Sequence, residues 1–324
     1  MSELWVDTDL GFDDIHALLL LRCHKIYPVA HSLVFGCSTL EQVIGNAAGI
    51  EQAFNMNSRW HAGACVALDG QCRTAAHVLG DNGMLSRGLI LPQVNVQHEH
   101  HLQETTAVEG MIHWLSGKPC APQILALGPL TNLANLIVKA PTLAATLTQI
   151  TWMGGSCGRG NQTTHAEFNA WADAQAASIV MQSGIAVHIV ELEACRKLQL
   201  LPQDLKPLSE LPGYKAQLLH DLLGGYLDIA LSRGRNGMAL YDPLAAAAVI
   251  LGDDNNILTS IPVAISVETV NETADQSRMG QTHVESDTHA AQKSAHSLCV
   301  VNNVDAVHDF LLDALYSTAK DDQS

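Results

Sequence analysis

Leu4-Trp5-Val6-Asp7-Thr8-Asp9-Leu10-Gly11-Phe12-Asp13-Asp14-Ile15-His16-Ala17-Leu18-Leu19-Leu20 is the stretch from which the fold is read. Apolar β-type residues lead into an acidic turn containing Gly11, and an apolar helical run follows, so the segment spells strand, turn, helix. Asp7, Asp9, Asp13 and Asp14 put four carboxylates within eight residues. Charges of one sign held that close raise one another's pKa, and they stay ionised together only beside a compensating cation. A divalent metal is the simplest such cation. All-oxygen donors suit Ca²⁺ or Mg²⁺ better than zinc, and Ca²⁺ accepts the irregular, high coordination of such a loop. A plainer reading has Asp13 and Asp14 favouring the helix N-terminus while Asp7 and Asp9 cap the turn.

Outward from this segment, short apolar β-type runs recur at Leu4–Val6, Val29–Phe35, Gln123–Leu127, Gln149–Met153 and Ala186–Leu192, with helix-like stretches between several of them. That alternation predicts an α/β fold with a parallel sheet covered by helices. Further strands are expected at Ile261–Val267 and Ser297–Val301, and a closing helix from about Val304 to Leu315. Between about 202 and 236 the spacing turns mainly helical, with a break at Leu211-Pro212-Gly213 and flexible points at Gly224-Gly225 and Arg233-Gly234-Arg235-Asn236-Gly237. This stretch reads as a helical cap inserted over the sheet edge. Repeats, low-complexity tracts and Pro/Gly/Ser-rich linkers are lacking, so residues 1–324 are expected to form one domain. In open parallel sheets ligands sit beyond the carboxyl ends of the strands.

The 324 residues suffice for a sizeable core, and 47% hydrophobic with 15% charged residues excludes disorder. A formal net charge of −16 argues against nucleic acid as a partner, because phosphate contacts need clustered cations. No apolar run approaches the length of a membrane span, and no basic segment followed by an apolar one opens the chain, so a cytoplasmic protein without membrane contact is expected. The eight cysteines form no Cys-x-x-Cys pair and read as reduced core thiols. Trp5, Trp60, Trp114, Trp152 and Trp171 fall at or near expected elements and read as core, while His98-Glu99-His100-His101 reads as an exposed loop despite its metal-like look.

Asp7-Thr8-Asp9-Leu10-Gly11-Phe12-Asp13-Asp14 with Ala17-Leu18 resembles the N-terminal signature of the nucleoside hydrolases, the inosine/uridine-preferring ribohydrolase family. Leu40-Glu41-Gln42-Val43 with Asn46, Leu127-Gly128-Pro129-Leu130-Thr131-Asn132, Met153-Gly154-Gly155, Gly160-Asn161, Glu167-Phe168-Asn169 and Asp242-Pro243-Leu244-Ala245 resemble further blocks of that family, in its order, over essentially the whole chain. Singly these blocks have ordinary readings: a strand-to-helix turn with Thr131 as cap, a polar surface loop, a helix start with proline. The resemblance implies an open, mainly parallel Rossmann-like sheet flanked by helices, one bound Ca²⁺, a ribonucleoside substrate and a homodimer or homotetramer. It implies Asp9, Asp14, Asp242 and the main-chain carbonyl of Leu127 as metal ligands, with Asp9 also taking a proton from the attacking water. Asp13 and Asn169 would meet the ribose 2′- and 3′-hydroxyls, Asp242 sharing the latter; Asn161 and Glu167 would hold the 5′-hydroxyl, and Met153 would pack on the sugar. The chemistry asks for these residue types, since breaking an N-glycosidic bond builds positive charge on the sugar and carboxylates around it stabilise that charge.

The pattern departs from the family at four positions. Leu10 stands in place of proline, read as a change of turn stiffness of little consequence; Cys37 replaces a ribose-contacting asparagine; Leu79 replaces a pocket histidine, with His77 pointing elsewhere; Tyr241 replaces the histidine near the leaving base. A neutral tyrosine is a weaker acid than imidazolium, so protonation of the leaving base falls to Tyr241, Tyr226, His220 or Arg233, or is dispensable. For His220 and Tyr226 the plainer reading is ordinary helix packing, and for Cys37 a half-buried packing thiol. Two other readings stay open. One is a ribose- or nucleoside-binding protein whose chemistry is lost through Cys37, Leu79 and Tyr241. The other is an aspartyl-nucleophile phosphatase built on Asp-x-Asp, which needs a cation for the phosphoryl group in a chain with only 17 Lys and Arg.

Overall fold

The computed structural model describes residues 2–93, 102–254, 256–269, 275–286 and 288–321; the His98-Glu99-His100-His101 tract lies outside them. In chain order the strands are β1 Leu4–Thr8, β2 Ala30–Leu33, β3 Trp60–Ala62, β4 Gln123–Ala126, β5 Gln149–Met153, β6 Val187–Val190, β7 Gln199–Leu200, β8 Met238–Ala239, β9 Leu258–Pro262, β10 Ala264–Val267, β11 Thr282–Glu285 and β12 Ser297–Val301. Eight of them form the main sheet in the order β3-β2-β1-β4-β5-β6-β12-β9. Every neighbouring pair is parallel except β12 with β9, which runs antiparallel at the edge. The fold is therefore α/β, an open and mainly parallel sheet between helices. β7–β8 and β10–β11 are separate antiparallel pairs.

The strand order sets where a ligand fits. From β1 the chain winds to β2 and β3 on one side, then returns to β4, β5 and β6 on the other, so the reversal falls between β1 and β4. Adjacent crossovers that part in opposite directions leave a crevice at the carboxyl ends of those two strands. Both strands are buried, as are the side chains of Trp5, Val6, Ile124 and Leu125, which explains why they read as near-continuous apolar runs.

On one face of the sheet the helix Phe12–Cys23 packs against Asp242–Leu251 and Val304–Lys320. It is buried almost all round, Ile15 and Ala17 to Leu21 included, as expected of a helix enclosed by a sheet and two other helices. On the other face Ala107–Ser116, Thr131–Lys139 and Ala174–Gln182 cover β1, β4 and β5 through a second core containing Trp5, Leu133 and Trp152. Among the described residues no helix is long and apolar enough to cross a membrane.

Several sequence expectations are corrected. Ile261–Val267 is two strands: β9 ends at Pro262, which has no N–H to extend a ladder, and β10 turns away to pair with β11. The closing helix runs on to Lys320. Gly224 and Gly225 are no flexible break; they lie buried inside the continuous helix Tyr214–Ser232. A Cβ on Gly225 would come 2.2 Å from the Leu85 carbonyl oxygen, and one on Gly224 2.4 Å from Arg87 Cδ, so both glycines allow close approach. Five of the eight cysteines are exposed and only Cys195 and Cys299 are buried, so most are surface thiols. Trp5, Trp60 and Trp152 are core, whereas Trp114 and Trp171 are half-buried.

Candidate active site

Asp9 follows β1 and the Leu127 carbonyl follows β4, at the two strand ends that flank the crevice. Asp13 and Asp14 lie in the first turn of Phe12–Cys23, and Asp242 is the first residue of Asp242–Leu251, the helix packed against it. Sheet topology and one helix pair thus bring together carboxylates more than 200 positions apart. Oxygens of Asp13, Asp14 and Asp242 lie within 4.8 Å of one another, as do those of Asp9 and Asp14 with the Cys37 sulfur. Asp14 belongs to both groups and joins them.

Each carboxylate is held from behind. Asp14 Oδ2 accepts from the Gly11 N–H at 2.8 Å, its Oδ1 accepts from the Thr8 hydroxyl, and it bonds to the Asp242 carboxyl. Asp9 Oδ2 accepts from the Cys37 N–H at 2.6 Å. Room for Asp9 depends on Gly36 and Gly128, where an added Cβ would lie 2.0 Å from Asp9 Oδ2 and 3.2 Å from Asp9 Cβ. Asp13 Oδ2 accepts from the Tyr226 hydroxyl at 3.1 Å.

Burial pushes all four acids up. Asp9 and Asp242 rise well above the carboxylate range through desolvation and neighbouring carboxylates, and Asp14 rises despite the Thr8 and Gly11 bonds. Burial with the Asp14 charge takes Asp13 to about 7, the Tyr226 hydroxyl pulling the other way. Four such acids cannot be anionic together unless a cation neutralises them. The oxygens fit a hard divalent ion, while the neighbouring Cys37 thiol is held protonated by burial and by the Asp9 charge, which disfavours a thiolate-bound soft metal.

Asp7 does not join this cluster. Its Oδ1 accepts from Ser32 Oγ and from Asn132 Nδ2 at 2.8 Å, and Asn132 also donates to the Leu33 carbonyl, so Asp7 ties β1 to β2 and to the helix after β4. Asp242, and not Asp7, is the carboxylate that joins Asp13 and Asp14. Thr131 does not cap its helix; its hydroxyl donates to Asp173 at 2.7 Å. Leu10 lies at φ +44°, a left-handed conformation that proline's ring forbids, and its N–H donates to Thr8 Oγ1 at 3.1 Å. The exchange of proline for leucine therefore alters the turn itself and not merely its stiffness.

A polar shelf after β5 forms another side. Asn169 Nδ2 donates to the Leu127 carbonyl at 2.8 Å and to the Met153 carbonyl at 3.0 Å, pinning the ends of β4 and β5. Glu167 caps Phe168–Ala172 by accepting from Asn169, Ala170 and Gly155 N–H groups, and burial nonetheless raises it to about 7. Asn161 Oδ1 accepts from the Phe168 N–H, so its amide NH₂ remains available.

Asp9, Asp13, Cys37, Leu79, Leu127, Met153, Asn161, Glu167, Asn169, Tyr241 and Asp242 line one cleft of about 880 Å³, counted out to solvent at its mouth. Asp14 sits behind them, fully buried. The rest of the lining is largely apolar, built from Val78 and Leu79 of the helical turn Ala76–Leu79, Tyr226 and Ile229 of the helix Tyr214–Ser232, and Met238 of β8. The sequence offered Tyr226 as a donor to the leaving base, with helix packing as the plainer reading, and it lines the cleft with its hydroxyl on Asp13. The signal was present, because Tyr226, Ile229 and Arg233 recur at helical spacing and form one face. His220 is not at the cleft; its ring bonds to Asp221 at 3.0 Å. Burial raises the Tyr241 phenol to about 12.

The sequence profile described as inosine-uridine preferring nucleoside hydrolase matches residues 4–310. The chain belongs to that family. Among curated nucleoside hydrolase relatives, the non-specific ribonucleoside hydrolase RihC of Shigella dysenteriae is 29% identical over 83% of this chain and 84% of its own. An uncharacterized protein of Schizosaccharomyces pombe, C17G8.02, is 32% identical over 76% of each chain. Among solved structures, a purine-preferring ribonucleoside hydrolase from Gardnerella vaginalis superimposes with a TM-score of 0.86 at 22% identity, covering 98% of this chain and 99% of that one. A plant nucleoside hydrolase does so with a TM-score of 0.84, also at 22% identity, covering 98% and 99%. This protein is therefore an N-glycosyl hydrolase of a metal-dependent family, on the fold that family uses.

Proposed function

We propose that the protein hydrolyses the N-glycosidic bond of ribonucleosides to free base and ribose, with one Ca²⁺ held by Asp9, Asp14, Asp242 and the Leu127 carbonyl. The observation that carries this reading is the convergence of Asp9, Asp13, Asp14 and Asp242 at the β1/β4 crevice, facing an apolar wall. A polyol presented to the acids and a planar base laid on the apolar wall match that division. When bound, the ion would polarise water and hydroxyls and neutralise the four acids.

Asp9, fixed by the Cys37 N–H, is placed to take a proton from water as the water oxygen bonds to C1′ and the C1′–N bond breaks. Asp13, oriented by the Tyr226 hydroxyl, accepts from one ribose hydroxyl, and Asn169 Oδ1 from its neighbour. Asn161 Nδ2 and the remaining lone pairs of Glu167 Oε1 serve the 5′-hydroxyl, while Met153 packs on the sugar. The carboxylates stabilise the positive charge that grows on the ribose. Tyr241, at about 12, stays protonated across the working range; it offers the departing base a hydrogen bond while being a poor proton donor.

A reducing-sugar assay over purine and pyrimidine ribonucleosides, with and without chelator, tests the proposal. Hydrolysis predicts ribose from wild type and a loss on the order of 10²-fold or more in Asp9→Ala with unchanged circular dichroism. Binding of ribonucleosides without ribose release overturns it.

A further inference from the structure

Arg233 and Arg235 stand exposed at the cleft's mouth, and neither forms an ion pair or side-chain hydrogen bond with a described residue. Four other arginines are paired with acids, Arg73 with Asp69, Arg87 with Asp228, Arg196 with Glu193 and Arg278 with Glu268, and of the remaining ones Arg233 and Arg235 are those that line the cleft. Two unengaged cations beside a binding cleft run against the trend of a chain with net charge −16.

Their backbone is set. Arg233 and Arg235 N–H groups both donate to the Ala230 carbonyl, at 3.1 and 3.0 Å, and Gly234 takes φ +70° to close the turn. They lie between Ile229 and Met238, which belong to the apolar wall, so the arginines border the place proposed for the base. They are not there to balance the cleft's own acids. Asp13 is bonded to Tyr226, Asp9 to the Cys37 N–H and Glu167 to three backbone N–H groups, and the charges that weigh on Asp9, Asp13 and Asp242 are carboxylates. The Arg235 charge does reach the Tyr241 phenol, where it opposes burial.

We infer that the favoured substrates are ribonucleosides whose base carries an anionic group, a carboxylate above all, seated against Arg233 and Arg235. This rests on the reading of the cleft as a ribonucleoside hydrolase and narrows its substrate class. The reaction balances as before: water oxygen to C1′, the C1′–N pair to the base, one proton of the water to the solvent-exchangeable acids and thence to the base nitrogen. A negative charge makes the base a poorer leaving group, and two guanidinium groups offset that penalty as charge moves onto it.

The test compares kcat/KM for 5-carboxyuridine, its neutral methyl ester, uridine and uridine 5′-monophosphate at low ionic strength with calcium, reading the reducing sugar. Wild type should prefer the acid over the ester by about tenfold, the scale of hydrogen bonds to a charged group. Added salt should shrink that ratio. In Arg233→Gln/Arg235→Gln the ratio should fall to near one, with the thermal midpoint confirming the fold. An acid-to-ester ratio at or below one in wild type, or a ratio unchanged in the double variant, overturns the inference. A preference for uridine 5′-monophosphate over uridine with none for the acid also overturns it, placing the anion on the sugar's 5′ end. Failure to release ribose from any of the four instead defeats the underlying hydrolase reading.

Discussion

An alanine at position 36 would place its Cβ 2.0 Å from Asp9 Oδ2 and 2.8 Å from Asp9 Cβ and Cγ. Contacts of a real Cβ essentially never fall under 3.0 Å, so the carboxylate must withdraw by about 1 Å. The 2.6 Å bond from the Cys37 N–H that anchors it stretches or breaks, and Asp9 loses its place relative to Asp14. Overpacking of this kind costs about 1–3 kcal/mol of stability, tolerable in a domain of this size. A 1 Å misplacement at a reacting centre costs on the order of 10²-fold in rate. Gly36→Ala is therefore expected to lower kcat/KM for ribonucleoside hydrolysis by about 10²-fold while keeping a cooperative unfolding transition, and to weaken calcium binding measured by calorimetry. Because no titratable group changes, this variant tests where Asp9 stands and not merely whether a carboxylate is present. Activity above a tenth of wild type in a folded Gly36→Ala protein would refute the reasoning.

Leu10→Pro restores the residue usual in the family yet forces φ from +44° to about −65° and removes the N–H that reaches Thr8 Oγ1, so it should cost about 3 kcal/mol or more by denaturant titration; a neutral result would mean the turn is not left-handed. His31 is fully buried with both ring nitrogens unpartnered among the described residues, and burial lowers it to about 3. The unfolded chain then binds the proton that the folded one refuses, so stability falls as pH drops below about 6.5, by about 2 kcal/mol at pH 5. The difference between wild-type and His31→Leu unfolding curves at pH 7.5 and pH 5 isolates that contribution from the acids; parallel curves would exclude it. Ribonucleosides lacking the 2′-hydroxyl leave Asp13 short of a partner and should be poorer substrates by about 10²-fold in kcat/KM, which side-by-side assays of uridine and 2′-deoxyuridine will decide.

Legibility followed the range of the forces involved. β1, the acidic turn and the first helix were readable because apolar runs and like charges are local signals, and the resemblance ordered the later blocks. β3 escaped notice because it has three residues, Trp60-His61-Ala62, too few to show alternation. The split of Ile261–Val267 turned on Pro262 at a sheet edge, and the burial of Gly224-Gly225 turned on a distant loop, Leu85 to Arg87, pressing on the helix. At the site, Asp242 entered through family likeness, since only the packing of two helices brings it to Asp14. The withdrawal of Asp7 into bonds with Ser32 and Asn132, and the exclusion of His220, depend on side-chain direction that spacing does not carry.

The claim to test is that a cation-loaded acid cluster cleaves a ribonucleoside. Metal-stripped enzyme is incubated with uridine, calcium is added midway, and free uracil and ribose are followed together in time. The account predicts neither product before the addition and equal amounts of both after it; release that ignores calcium, or none at any stage, would contradict it.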